Sequence, residues 1–159
     1  MKYVLFSYHI VIAMGLMNII SCKKQGSKDS PVLDLPVYFI YSDSIGSPLL
    51  SEAYIENLTV IYNLNGQEVR PSKTTGSEKG YELILGPSNE KMLKVYPFPF
   101  LNMDEATVIL RFKNNTEDKI VYKYLHPNRN SALTVSVTYN DVVVWTDTNS
   151  SNKIINIIK

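Results

Sequence analysis

Only a handful of side chains in this sequence could do chemistry, and their spacing limits which chemistry. Cys22 is the single cysteine. Its thiolate is a strong nucleophile, yet without a second thiol it can close no disulfide and complete no thiolate metal site. Past the apolar start of the chain the one histidine is His126, followed by Pro127 in a polar stretch. A serine–histidine–acid relay needs an imidazole within reach of an activated hydroxyl, and no Gly-x-Ser-x-Gly turn is there to offer one. His126 therefore reads as loop surface. Asp104-Glu105 and Glu117-Asp118 stand as acidic pairs between apolar runs. They lack the Asp-x-Asp-x-Asp spacing of a calcium loop and read as solvated turns. Zinc or iron would need several His or Cys ligands. Glycoside hydrolysis would need two carboxyls held about 5–9.5 Å apart, and nothing in the order of residues pairs them. The inventory points away from turnover, with no cofactor and no metal expected.

Other residues could recognise rather than react. Tyr96, Phe98 and Phe100 share one face of a strand-like run, with Val95 and Leu101 on the other and Pro97 and Pro99 between them. Exposed, this row could stack on sugars or seat a partner peptide; buried, it fills a core, the plainer reading for aromatic side chains. Trp145 is expected in the core for the same reason. A net charge of +1, with acids and bases interspersed, leaves no electrostatic footprint for nucleic acid.

The elements that position these residues begin with a leader. Lys2 opens it, residues 3–20 are almost unbroken apolar sequence, and Ile19-Ile20-Ser21-Cys22 closes it ahead of Lys23 and Lys24. A charged start, a short apolar core and a small residue at the cut are the layout of a signal peptide, here residues 1–21. The run barely reaches the roughly 20 residues of a membrane-spanning helix. Nothing polar interrupts it at helical period, as a surface helix of a soluble domain would require.

Residues 22–34 mix lysine, glycine, serine and proline with little that can pack, and read as a flexible tether. From Leu35 onward the pattern changes to period two. Val37, Phe39 and Tyr41 alternate with their neighbours, as do Leu58, Val60 and Tyr62, and Leu133, Val135, Val137 and Tyr139. Asn65-Gly66 between two such runs predicts a type I′ hairpin, and Asn140-Asp141 a second turn. Pro97 and Pro99, two apart, remove amide donors from one lateral side, so 92–101 is expected to be an edge strand. No segment past the leader shows a helical period. About eight short strands with turn-rich links predict an all-β, antiparallel, immunoglobulin-like β-sandwich over residues 35–159, with a closed barrel as the competing architecture.

The closing tetrapeptide Ile19-Ile20-Ser21-Cys22 resembles the lipobox of bacterial lipoproteins. With Asp43-Ser44-Ile45-Gly46-Ser47-Pro48, Ile61-Tyr62-Asn63-Leu64-Asn65-Gly66 and the Val137-to-Trp145 hairpin, the chain resembles small lipoproteins of Bacteroidetes-type bacteria. The resemblance implies cleavage between Ser21 and Cys22, a diacylglyceryl thioether on Cys22, and an outer-membrane place in the cell envelope. Acidic residues after the cysteine mark many surface-facing members; Lys23 and Lys24 depart from that pattern and leave the facing side open. The resemblance also implies O-glycosylation of Ser44, since Asp43-Ser44-Ile45 matches the acceptor triplet of such bacteria. The expected function is that of a lipid-anchored, non-enzymatic binding module for a protein or glycan. A structural lipoprotein packed in an envelope or fimbrial assembly is the alternative, and a carboxylate-dependent hydrolase the third reading.

Overall fold

A computed structural model describes residues 33–72, 77–97, 103–148 and 152–159. Strands account for nearly all regular structure there: β1 (Leu33–Asp34), β2 (Val37–Ser42), β3 (Thr59–Leu64), β4 (Gln67–Val69), β5 (Tyr81–Leu85), β6 (Lys91–Val95), β7 (Glu105–Arg111), β8 (Glu117–Leu125), β9 (Ala132–Tyr139), β10 (Val142–Thr146) and β11 (Ile154–Ile158), with one helical turn, α1 (Glu52–Ile55). Seven strands form a sheet in the order β1-β9-β8-β7-β3-β4, with β10 also on β9, and four form a second in the order β11-β2-β6-β5. Neither sheet closes on itself.

Period two explains how the sheets stack. On β2, Val37, Phe39 and Tyr41 are wholly buried while Tyr38, Ile40 and Ser42 are half-covered. On β8 the inward set is Asp118, Ile120, Tyr122 and Tyr124. The two inner faces meet in one core, where Phe39 and Tyr41 of the smaller sheet lie 6.1 and 6.5 Å from the ring of Tyr139 of the larger. The all-β sandwich expected from the sequence is the fold. Its hairpin turns also form as read: Asn65 and Gly66 take φ of 53° and 86°, and Asn140 and Asp141 take 46° and 67°. Positive φ at both central residues lets the turn follow the right-handed twist of its strands.

The structure corrects four expectations. The sandwich is not purely antiparallel, because β1 runs parallel to β9 and β11 parallel to β2. Alternation tells which face a residue takes but not which strand lies beside it. Leu33 and Asp34, assigned to the tether by composition, are strand. Lys153 Nζ donates to the Asp34 carbonyl at 2.7 Å and meets its carboxylate at 2.8 Å, which anchors that short pairing. The described part of the run 92–101 is not an edge strand: β6 ends at Val95 and lies between β2 and β5, paired on both sides, while residues 98–101 lie outside the described residues. Pro97 stands beyond the ladder, so it removes nothing from it. Finally, α1 is a helix where none was expected. Ser51 caps it by accepting from the Tyr54 amide at 3.1 Å, and a single turn is too short to display a period. Among the described residues no helix is long and apolar enough to cross a membrane.

Candidate functional site: aromatic rings around a buried carboxylate

Of the residues singled out from the sequence, Tyr96 lies just past β6 and is half-buried. Its hydroxyl donates to Glu82 Oε2 at 2.7 Å, and Lys94 Nζ sits 4.5 Å from its ring centre. Both its polar tip and its ring are thus engaged within the chain. Phe98, Phe100, Ser21 and Cys22 lie outside the described residues. Ser44 is exposed at the tip of a turn in which Asp43 Oδ1 accepts from the Ile45 and Ser47 amides at 3.0 and 2.7 Å. Trp145 is buried, its indole N–H donating to the Asn152 carbonyl at 3.0 Å. His126 departs from the surface reading. It is half-buried, with Nδ1 3.1 Å from the Ser131 carbonyl oxygen and Nε2 2.9 Å from that of Met103. A neutral ring can donate to one of these and an imidazolium to both, so His126 clamps two stretches of backbone.

The acidic pair read as a solvated turn contains the most heavily partnered polar group of the core. Asp118 is only 1 % exposed and shares the inner face of β8 with Ile120 and Tyr122. Its Oδ2 accepts from the Tyr41 hydroxyl at 3.3 Å. Its Oδ1 accepts from the Asn140 side-chain amide at 3.4 Å and forms an ion pair with Lys159 Nζ. A carboxylate taken out of water needs such partners, since left alone it costs several kcal/mol.

Three rings complete the surroundings of that ammonium. Lys159 Nζ lies 5.7 Å from the ring centre of Tyr41, 5.5 Å from Phe112 and 5.8 Å from Tyr139. A cation within about 6 Å of an aromatic face is drawn to the negative side of the ring quadrupole. The rings brace one another: Tyr41 and Phe112 meet edge-on at 6.1 Å, and Tyr54 of α1 packs 5.4 Å from Phe112. Both sheets contribute. Tyr41 on β2 and Lys159 after β11 come from one; Phe112 after β7, Asp118 on β8 and Tyr139 at the end of β9 come from the other. Asn140, in its left-handed turn, accepts from the Lys119 amide at 2.8 Å and so fixes β8 and β9 at this corner.

Burial first, then the charges of Tyr139 and Asp118, pushes the Tyr41 phenol well above its ordinary value. Burial, followed by Asp118, also raises the Tyr139 and Tyr54 phenols. These hydroxyls keep their protons. The Tyr139 hydroxyl is buried beside Asp118 and Tyr41. One desolvated negative charge beside three electron-rich faces is an arrangement for holding a cation.

A second, open cleft of about 660 Å³ lies between α1 and β5, bordered by Glu52, Glu56, Glu78, Lys79 and Glu82. Glu56 pairs with Lys113 at 3.4 Å and Glu82 with Lys94 at 3.5 Å, so its carboxylates are partly committed elsewhere. Among the described residues no group of three or more His, Cys, Asp or Glu side chains is placed to hold a metal. The aromatic corner was readable in principle. Asp118 falls in step with Ile120, Tyr122 and Tyr124, and Lys159 in step with Ile155 and Ile157, so alternation carried two residues further puts both charges on inner faces. Comparison with protein-family models, curated proteins and solved structures finds no match for this chain.

Proposed function

We propose that the protein is a lipid-anchored envelope lipoprotein whose β-sandwich serves as a non-enzymatic binding module for a protein or glycan. The observation that carries this is Ile19-Ile20-Ser21-Cys22 closing an apolar leader, with a strand already formed at Leu33 a short way downstream. Acylation at Cys22 would fix location, since each buried methylene is worth about 0.8 kcal/mol and more than one chain makes release slow. The test is mass spectrometry of the protein from membranes. A diacylglyceryl-modified Cys22 as the first residue is the expected result; an unmodified Cys22 or a retained Met1 would refute it. Pull-down from envelope extract tests the binding role, with partner capture expected to fall when Tyr96, Phe98 and Phe100 are changed together to alanine. The same mass measurement reports Ser44, where a glycan adds mass beyond lipid and polypeptide.

The alternative of a structural lipoprotein in an envelope or fimbrial assembly is favoured by one feature. Among the described residues β10 pairs only with β9, and it shows Val142 and Val143, 63 % and 61 % exposed, on its strand. An uncharged apolar edge of this kind invites another strand. Self-association that disappears in Val143→Lys would move the reading toward assembly.

A further inference from the structure

We propose that Asp118, Tyr41, Phe112 and Tyr139 form a binding site for a primary alkylammonium group, a site that Lys159 occupies within the chain and that accepts an external amine when Lys159 is withdrawn. This goes beyond the envelope role and does not rest on it. The carboxylate sets the first requirement. Asp118 Oδ2 is taken by the Tyr41 hydroxyl, which leaves Oδ1 as the one oxygen facing the cation. A guanidinium is best served by two carboxylate oxygens side by side, whereas an ammonium is a compact charge that one oxygen satisfies. The ion pair sets the second. Lys159 reaches Oδ1 through N–H donors, which a quaternary ammonium lacks, so the site favours the primary amine over its trimethylated form.

The rings and the exposure pattern argue for a site that can be entered. Asp118, Tyr41, Phe112 and Tyr139 are each less than a tenth exposed, while the Lys159 side chain is 29 % exposed. The path from water to the carboxylate therefore runs along Lys159 itself. Phe112 also lines a cleft of about 290 Å³, with Ala53, Tyr54, Lys113, Asn114 and Thr116. Occupancy is also tied to a strand. Lys159 follows β11, and its amide donates to the Ser42 carbonyl at 2.9 Å, continuing the parallel pairing with β2. Filling the site seats the last strand of the smaller sheet.

The experiment uses the full-length chain, purified in detergent, as wild type, Lys159→Ala and the double variant Lys159→Ala/Asp118→Asn. Thermal unfolding is followed with n-butylammonium chloride, n-butyltrimethylammonium chloride, n-butylguanidinium chloride and n-butanol. At ten times the dissociation constant, n-butylammonium should raise the midpoint of Lys159→Ala by about 4 °C. Wild type, whose lysine is already at high effective concentration, should move by less than about 1 °C. n-Butanol and the double variant should show no shift, and the trimethylated and guanidinium analogues should bind at least about tenfold more weakly. Equal response of wild type and Lys159→Ala, a response that survives Asp118→Asn, or an equal effect of n-butanol would each overturn the proposal. Should Lys159→Ala fail to fold, its refolding yield with and without n-butylammonium becomes the readout. A gain in Lys159→Ala supports the site, and no gain there refutes it.

Discussion

Gly80 shows how one hydrogen atom in place of a side chain can be required for two reasons at once. Its φ is +76°, and a Cβ there would stand 2.7 Å from Pro71 Cγ and 2.9 Å from both the Tyr62 hydroxyl and Val60 Cγ1. That hydroxyl donates to the Tyr96 carbonyl at 3.0 Å, so it cannot retreat without breaking a bond. Gly80→Ala should cost about 2–4 kcal/mol in urea unfolding, combining backbone strain with overpacking. Gly66, at φ +86° with nothing within 4 Å, separates the two effects. Gly66→Ala should cost about 1 kcal/mol, from backbone strain alone. Equal losses at the two sites would show that crowding at Gly80 is relieved cheaply. At Asp118, Asp118→Asn keeps the shape and removes the charge that Lys159 meets. The loss should be about 2–3 kcal/mol, below the 3–5 kcal/mol typical of a fully buried pair, because Lys159 can turn toward water. Sequence alone hid Asp118 because an acidic residue next to Glu117 suggests a turn, and chemical type outweighed position in the alternation.

At the scale of elements, local pattern is legible and lateral order is not. The Asn65-Gly66 and Asn140-Asp141 hairpins were readable because the turn and its register are encoded within a few consecutive residues. The parallel placement of β11 beside β2 depends on residues 154–158 meeting residues 38–42, and no short window contains both. β6 was misread for a related reason. A proline protects an edge only if the strand includes it, and β6 stops at Val95, before Pro97. The aromatic corner joins five strands from both sheets, so its existence waited on the pairing even though each face was readable. α1 makes the smallest element testable. Ser51→Ala removes the acceptor for the Tyr54 amide and should destabilise the fold by about 1 kcal/mol. Because Tyr54 packs 5.4 Å from Phe112, the same change should loosen the aromatic corner and alter the tyrosine signal in near-ultraviolet circular dichroism. A loss of stability with an unchanged aromatic spectrum would mean that α1 and the corner are uncoupled.

For the whole molecule, the tyrosines buried between the sheets link stability to alkaline pH. Burial, the largest cause in each case, raises the phenols of Tyr41, Tyr122, Tyr124 and Tyr139 above the ordinary value of 10.0. The Tyr122 and Tyr124 hydroxyls have no hydrogen-bond partner among the described residues, so an ionised oxygen would find nothing there to stabilise it. In the unfolded chain these phenols lose their protons near pH 10, while the folded chain keeps them. Above that pH the unfolded state binds fewer protons, so stability falls as pH rises. The stabilisation is fully present below about pH 10 and is lost as pH climbs from there toward the raised folded values. With four such groups the loss approaches about 5 kcal/mol per pH unit, enough to exhaust a typical 5–15 kcal/mol of stability within a few units. The expected result is a cooperative alkaline transition between about pH 11 and 12.5, with phenolate absorbance at 295 nm rising together with the loss of near-ultraviolet circular dichroism. Tyr122→Phe should move that midpoint upward and, by deleting a buried unpartnered hydroxyl, add about 1 kcal/mol at neutral pH. Gradual ionisation of all tyrosines while the circular dichroism stays native would show that water reaches the space between the sheets, and the sealed core described for these residues would have to be abandoned.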